Sequence, residues 1–224
     1  MCIDSLAKIN LIKDSILLPS ITRLYQIDYD NIRFDVSERN VCARLAHHME
    51  NLMREYDQQN NNNPFIGYYA DVEYNRMGNG DIKHFENSEH RPQNMVSDLL
   101  IQSRGYERNL LALEMKKVKA SKKDKDNDRE RLRSLVSPSN GNMEIRCVHD
   151  TLLGVFMIYS LDEVTLEFYE NDNDNRNGRM SEIWRLSIAQ EFDPETERMI
   201  GSIHIVVREE NYNTNSTECH ECRE

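Results

Sequence analysis

The chain has 224 residues, with 28 Lys and Arg against 39 Asp and Glu, a formal charge of −11. That length suits one large domain, or one domain with an appendage, and is enough to bury a core without disulfides or structural metal. The acidic total excludes a protein that coats nucleic acid through its global field and leaves only a local basic patch, and 8 Gly with 5 Pro exclude a collagenous or Pro-rich disordered chain.

Residues 3–33 carry apolar side chains at near-helical spacing: Leu6, Ile9, Ile12 and Ile16, then Ile21 and Leu24 beyond Pro19. This predicts a helical N-terminal extension over residues 1–36, broken near Leu18, because the residue before a proline disfavours the helical region. A stronger helix follows over about 38–56. Ser37 is a good N-cap, Glu38 suits the positive end, and Val41, Leu45, Met49 and Leu52 recur on one face. Residues 58–64, four of them consecutive Asn before Pro64, read as loop.

Phe65 to Arg76 alternates, with Tyr69, Asp71 and Glu73 on one face and Ala70, Val72 and Tyr74 on the other. Residues 75–93 are polar and irregular. Met95 to Gln102 and Leu110 to Lys116 read as two neighbouring strands joined by a turn. A lysine-rich link leads to a helix over Asp126 to Val136, ended by Pro138 to Gly141, and strands follow over 151–160, 164–168, 183–188 and 203–207. Asn171–Gly178 reads as a turn, and 211–224 as a polar tail. The predicted class is α/β, a central mixed sheet flanked by helices, with the main domain over 37–210 and extra strands at its C-terminal end.

One constellation carries chemistry. Residues two apart on a strand share a face, so Glu114 and Lys116 point one way while Leu113 and Met115 point to the other side. Asp98 interrupts the apolar segment that should pair beside them. Two carboxylates and an ammonium then converge on a rigid sheet. Carboxylate oxygens suit Mg²⁺, which keeps waters and shares its remaining positions with a phosphate. The metal would polarise the phosphoryl group, and Lys116 would orient water and offset charge developing on the phosphate.

The arrangement Asp98 … Glu114-Met115-Lys116 resembles the active-site motif of the PD-(D/E)xK nuclease superfamily, whose fold is restriction-endonuclease-like. That pattern places an Asp on one strand and Glu-x-Lys on the next, with a helix before and a helix after. The likeness runs from about Ser37 to Ser160 in element order, with Ser97 where the pattern has proline. It implies Mg²⁺ (or Mn²⁺) held by Asp98, Glu114 and the Met115 carbonyl, with Lys116 serving the nucleophilic water. Glu38 fits the glutamate that many members add from the preceding helix. The resemblance also implies hydrolysis of phosphodiester bonds in nucleic acid, with DNA favoured. A symmetric homodimer would suit cutting both strands of a duplex. The alternative is a catalytically inactive module of the same fold that binds nucleic acid or a protein partner.

Other features have plainer readings beside functional ones. Glu38 is equally explained by the helix dipole. Asp71 and Glu73 read as exposed strand carboxylates before they read as a second metal site. Six lysines between 116 and 125 either form a solvated run or grip a phosphate backbone through Lys117, Lys119, Lys122 and Lys123. Arg129, Arg131 and Arg133 would extend that patch, diluted by Asp126, Asp128 and Glu130. His47 and His48 read as helix-surface or core-edge residues. Cys219-His220-Glu221-Cys222 is half a zinc-site spacing in a tail. The longest mainly apolar stretch, Leu152 to Tyr159, is far short of the ~20 residues that span a bilayer. Asp4, Lys8, Lys13 and Asp14 interrupt the first 20 residues, unlike a secretory signal. Five cysteines do not make a disulfide framework, so the cytoplasm is the expected location.

Overall fold

The computed structural model describes residues 5–73, 84–86, 92–94, 96–104, 109–137, 151–171 and 178–210. The chain starts with α1 (Ser5–Leu11), a π-helical segment (Ile12–Leu17), α2 (Leu18–Ile27) and the short α3 (Tyr29–Arg33). The break expected near Leu18 does not occur, since Leu18 is helical at φ −60° and ψ −46°. Pro19 falls in the first turn of α2, directly after the wider π turns, where an amide without a hydrogen is tolerated. Ile12, Ile16, Ile21 and Leu24 are fully buried and share one core with Val41, Leu45 and Met49 of α4 (Glu38–Gln59). These first helices are therefore packed into the body of the protein.

Among the described residues seven strands form one sheet in the order β1-β4-β5-β6-β7-β8-β9. They are β1 (Tyr69–Val72), β4 (Leu99–Gln102), β5 (Asn109–Lys117), β6 (Thr151–Tyr159), β7 (Glu163–Asn171), β8 (Gly178–Asp193) and β9 (Arg198–Glu210). Only β5 and β6 run parallel, and the other neighbours are antiparallel. A parallel pair needs a crossover, and α5 (Lys122–Val136) lies in that connection. The class is thus mixed α/β. The segment expected to be irregular contains a small hairpin, β2 (His84–Glu86) with β3 (Pro92–Asn94). The expected alternation from Phe65 narrows to the four residues of β1, because residues 64–67 form turns, with Gly67 at φ 80°.

Both faces of β5 are covered. Leu111, Leu113 and Met115 meet the α1–α4 side, while Ala112 faces Leu132, Leu135 and Val136 of α5. That explains the near-continuous apolar run of this strand. Gly154 lets α5 approach closely, since a Cβ there would lie 3.2 Å from Val136 Cγ1 and 3.2 Å from Tyr169 Cβ. Helix α5 starts four residues before the expected Asp126, because Ser121 Oγ caps the Asp124 amide at 3.1 Å and the lysines supply the first turn. β8 and β9 are far longer than the short strands expected from their apolar centres. Their polar ends pair as a half-exposed ribbon. Among the described residues no helix is long and apolar enough to cross a membrane. The tail from Asn211, including the Cys219–Cys222 motif, and the stretch after Ser137 to Asp150 lie outside the described residues.

Candidate active site

The Leu99–Leu113 pair is the last of the β4–β5 ladder, and extending its register by one residue sets Asp98 opposite Glu114. Asp98 lies in the bend just before β4 rather than within the strand, held where its carbonyl accepts the Glu73 amide at 3.2 Å and the Cys42 thiol at 3.2 Å. Its Oδ2 accepts the Met115 amide at 2.8 Å. The expected sharing of a face by Glu114 and Lys116 is seen, and that face is turned toward α5.

Lys116 sits at the centre of three carboxylates. Its Nζ lies 3.4 Å from Glu38 Oε2, 3.3 Å from Asp128 Oδ2 and 3.9 Å from Asp98 Oδ2. Glu38 reaches this point because Ser37 starts α4 beside the end of β5, and its Oε1 also accepts the Lys117 amide at 3.0 Å. The Met115 carbonyl, expected as a metal ligand, accepts the Lys116 ammonium at 3.1 Å.

Glu114 is fully buried. Arg131 Nη1 lies 2.8 Å from its Oε1, an ion contact without hydrogen-bond geometry, and neither carboxylate oxygen has a hydrogen bond among the described residues. Burial pushes the Glu114 carboxyl up to about 8, with Arg131 opposing and Asp98 and Asp128 adding to the rise. Burial raises Asp98 as well, opposed by the Met115 amide and Lys116. Lys116 goes the other way from a buried amine. Burial would lower it, but Asp98, Asp128 and Glu38 together lift it above its ordinary value, so the ammonium is protonated at neutral pH.

Two residues of this cluster were read from the sequence only as part of a diluted basic patch. Asp128 is almost fully buried, and Arg131 Nη2 lies 3.3 Å from its Oδ1. The available signal was helical spacing: Asp128, Arg131, Leu132 and Leu135 share one face of α5, and the two leucines mark that face as inward. Arg129 and Arg133 are not free to extend a patch either. Arg129 forms a two-pronged bond to Glu167 at 2.8 and 2.7 Å, and Arg133 lies over the Tyr169 ring.

The lysine run divides. Lys117 turns to the opposite side from Lys116 and bonds Asp35 Oδ1 and the Val36 carbonyl, both at 2.7 Å, while Lys119 bonds Asp35 Oδ2 at 2.6 Å. Lys122 and Lys123 are exposed in the first turn of α5. Asp71 is held by Arg104, and Glu73 by Arg39 at 2.8 Å, so neither joins the cluster. His48 bonds Asp28 at 2.6 Å, tying α4 to the α2–α3 junction.

Among the described residues no group of three or more His, Cys, Asp or Glu side chains is gathered to hold a metal. Asp98 and Glu114 are two carboxylates, and Mg²⁺ commonly takes one or two, filling its other positions with water and phosphate. Neither Glu114 oxygen has a hydrogen bond among the described residues, which suits that donor set, although Arg131 stands 2.8 Å from Oε1. Comparison with protein-family models, curated proteins and solved structures finds no match.

Proposed function

We propose that this chain is a divalent-metal-dependent phosphodiesterase acting on nucleic acid, with Asp98, Glu114 and Lys116 as its reacting groups. The observation that carries the reading is Lys116, protonated and held by three carboxylates, two residues along β5 from a buried Glu114 whose oxygens lack hydrogen bonds among the described residues. The order α4, β1, β4, β5, α5, β6 also runs parallel to the restriction-endonuclease-like pattern, with a helix before and a helix after the motif strands.

In this reading Asp98 and Glu114 would hold Mg²⁺ or Mn²⁺, helped by the Met115 carbonyl once Lys116 releases it. The bound metal supplies Lewis-acid polarisation of the phosphate and a more acidic water. The protein does the rest. Lys116, being protonated, acts as an electrostatic partner for the phosphate oxygens and for the attacking water, not as a general base. Glu38 and Asp128 hold its ammonium in position. The Met115 amide holds the Asp98 carboxylate at 2.8 Å, so β5 sets the spacing of the two groups that would hold the metal.

Incubation with single- and double-stranded DNA and RNA, in Mg²⁺ or Mn²⁺ and in EDTA, tests it. Metal-dependent cleavage that disappears in Asp98→Ala is expected, with DNA the favoured polymer. No cleavage of any of them would overturn it. One observation favours a second reading, a non-catalytic nucleic-acid-binding module: Arg131 already places a cation against Glu114 at 2.8 Å. In that case Mn²⁺ would not bind and Asp98→Ala would leave nucleic-acid affinity unchanged.

A further inference from the structure

A cavity of about 410 Å³ opens on the side of β5 opposite Lys116. Its apolar wall is Ile32, Val118 and Leu161, and Lys117 and Lys119 stand at its edge. Val118 is 59% exposed. Tyr159 also lines the cavity, and its buried hydroxyl has no hydrogen-bond partner among the described residues.

Asp35 spans the two lysines, with Oδ1 2.7 Å from Lys117 Nζ and Oδ2 2.6 Å from Lys119 Nζ. One carboxylate thus presents two oxygens to two ammonium groups, as a phosphate would. Asp35 is more than half exposed; its amide bonds the Ile32 carbonyl at 3.1 Å, and Lys117 Nζ also bonds the Asp35 and Val36 carbonyls at 3.2 and 2.7 Å, so it is the Asp35 carboxylate alone that a competing anion would replace. Arg33 adds a third cation at the lining, itself paired with Asp30 at 3.9 Å, and Asp162 a second carboxylate.

We propose that this cavity takes one unpaired nucleotide of the substrate strand, its phosphate displacing Asp35 from Lys117 and Lys119 and its base lying on Ile32, Val118 and Leu161. The inference rests on the nuclease reading for its substrate and narrows it to strands with a single-stranded segment next to the cut. A base inside a duplex is stacked on its neighbours and would have to leave the stack to enter. The apolar wall and paired lysines match what single-strand sites use, a face for the base and a charge for the backbone. Lys117 follows Lys116 directly along β5, and its amide bonds Glu38, so a strand crossing the end of β5 meets both places.

Calorimetry with adenosine 5′-monophosphate in EDTA tests this without requiring catalysis. Wild type should bind, and Asp35→Asn should bind about tenfold tighter, the equivalent of about 1.4 kcal/mol, because the competing carboxylate charge is gone. Val118→Glu, at an exposed position where an unchanged circular-dichroism spectrum is expected, should weaken binding about tenfold. Absence of binding to both wild type and Asp35→Asn, or equal affinity in all three, overturns the inference. A protein that cleaves DNA yet fails this test loses the cavity assignment alone. One that passes it yet never cleaves keeps the cavity and loses the nuclease reading.

Discussion

Lys116 Nζ and Asp128 Oδ2 lie 3.3 Å apart, joining β5 to the helix that carries the chain across to β6. Leu132 and Leu135 pin that helix to the sheet, so the packing of α5 sets where the lysine points. Asp128 is a positioning residue in this arrangement, acting through Lys116. Asp128→Asn should lower kcat by about tenfold, with little change in KM, since roughly 1.4 kcal/mol of charge interaction is removed from Lys116. It should also move the alkaline limb of the pH–rate profile to lower pH, because one of the groups holding Lys116 protonated is lost. An unchanged profile would leave Asp128 a purely structural role.

Glu114 gives the protein a pH dependence of definite sign. Its carboxyl rises from 4.5 to about 8 on folding, so between those values the folded chain holds a proton that the unfolded chain releases. Stability contributed by this group is complete below pH 4.5 and is lost as pH rises through about 8. Glu114→Gln should flatten that decline and raise Tm relative to wild type at pH values above about 8. The same proton competes with metal, so Mn²⁺ affinity should climb by up to about tenfold per pH unit below that value. Melting curves and calorimetry across the range check both. A Tm difference independent of pH would contradict the assignment.

Lys13 is buried between Glu170 and Glu182, 3.0 Å from each, and 4.6 Å over the Phe168 ring. It ties the π-helical segment to β7 and β8. Lys13→Met keeps the apolar stem but leaves two carboxylates without their shared cation, and should cost about 3 kcal/mol in urea unfolding. A loss below about 1 kcal/mol would mean that water or other groups already satisfy the glutamates.

How much of this was legible depended on whether a signal was local. The shared face of Glu114 and Lys116 follows from a strand period of two, and the position of Glu38 from the Ser37 cap. The opposition of Asp98 to Glu114 needed only the pairing of two apolar runs. What escaped were the partners. Asp128 and Arg131 look like surface charges when composition is counted, and only the leucines at their spacing reveal an inward face. Lys117 and Lys119 look like a free patch until the link between α3 and α4 brings Asp35 to them, which no local pattern encodes. Lys13 lies on a helix whose partner strands come more than 150 residues later, as the 157-residue separation from Glu170 shows. The helix runs on through Pro19 because that residue lies in the first turn of α2, where a missing amide hydrogen is tolerated, and Leu18 stays helical although it precedes a proline.

The most direct measurement is the cleavage rate in Mn²⁺ of Lys116→Ala beside Lys117→Ala, neighbours that face opposite sides of the same strand. Lys116→Ala should fall by about a hundredfold or more, reflecting transition-state charge stabilisation of about 3 kcal/mol. Lys117→Ala should fall far less, and mainly through substrate affinity that weakens with salt. Mn²⁺ binding should survive in both. Equal losses in the two variants, or full activity in Lys116→Ala, would contradict the account.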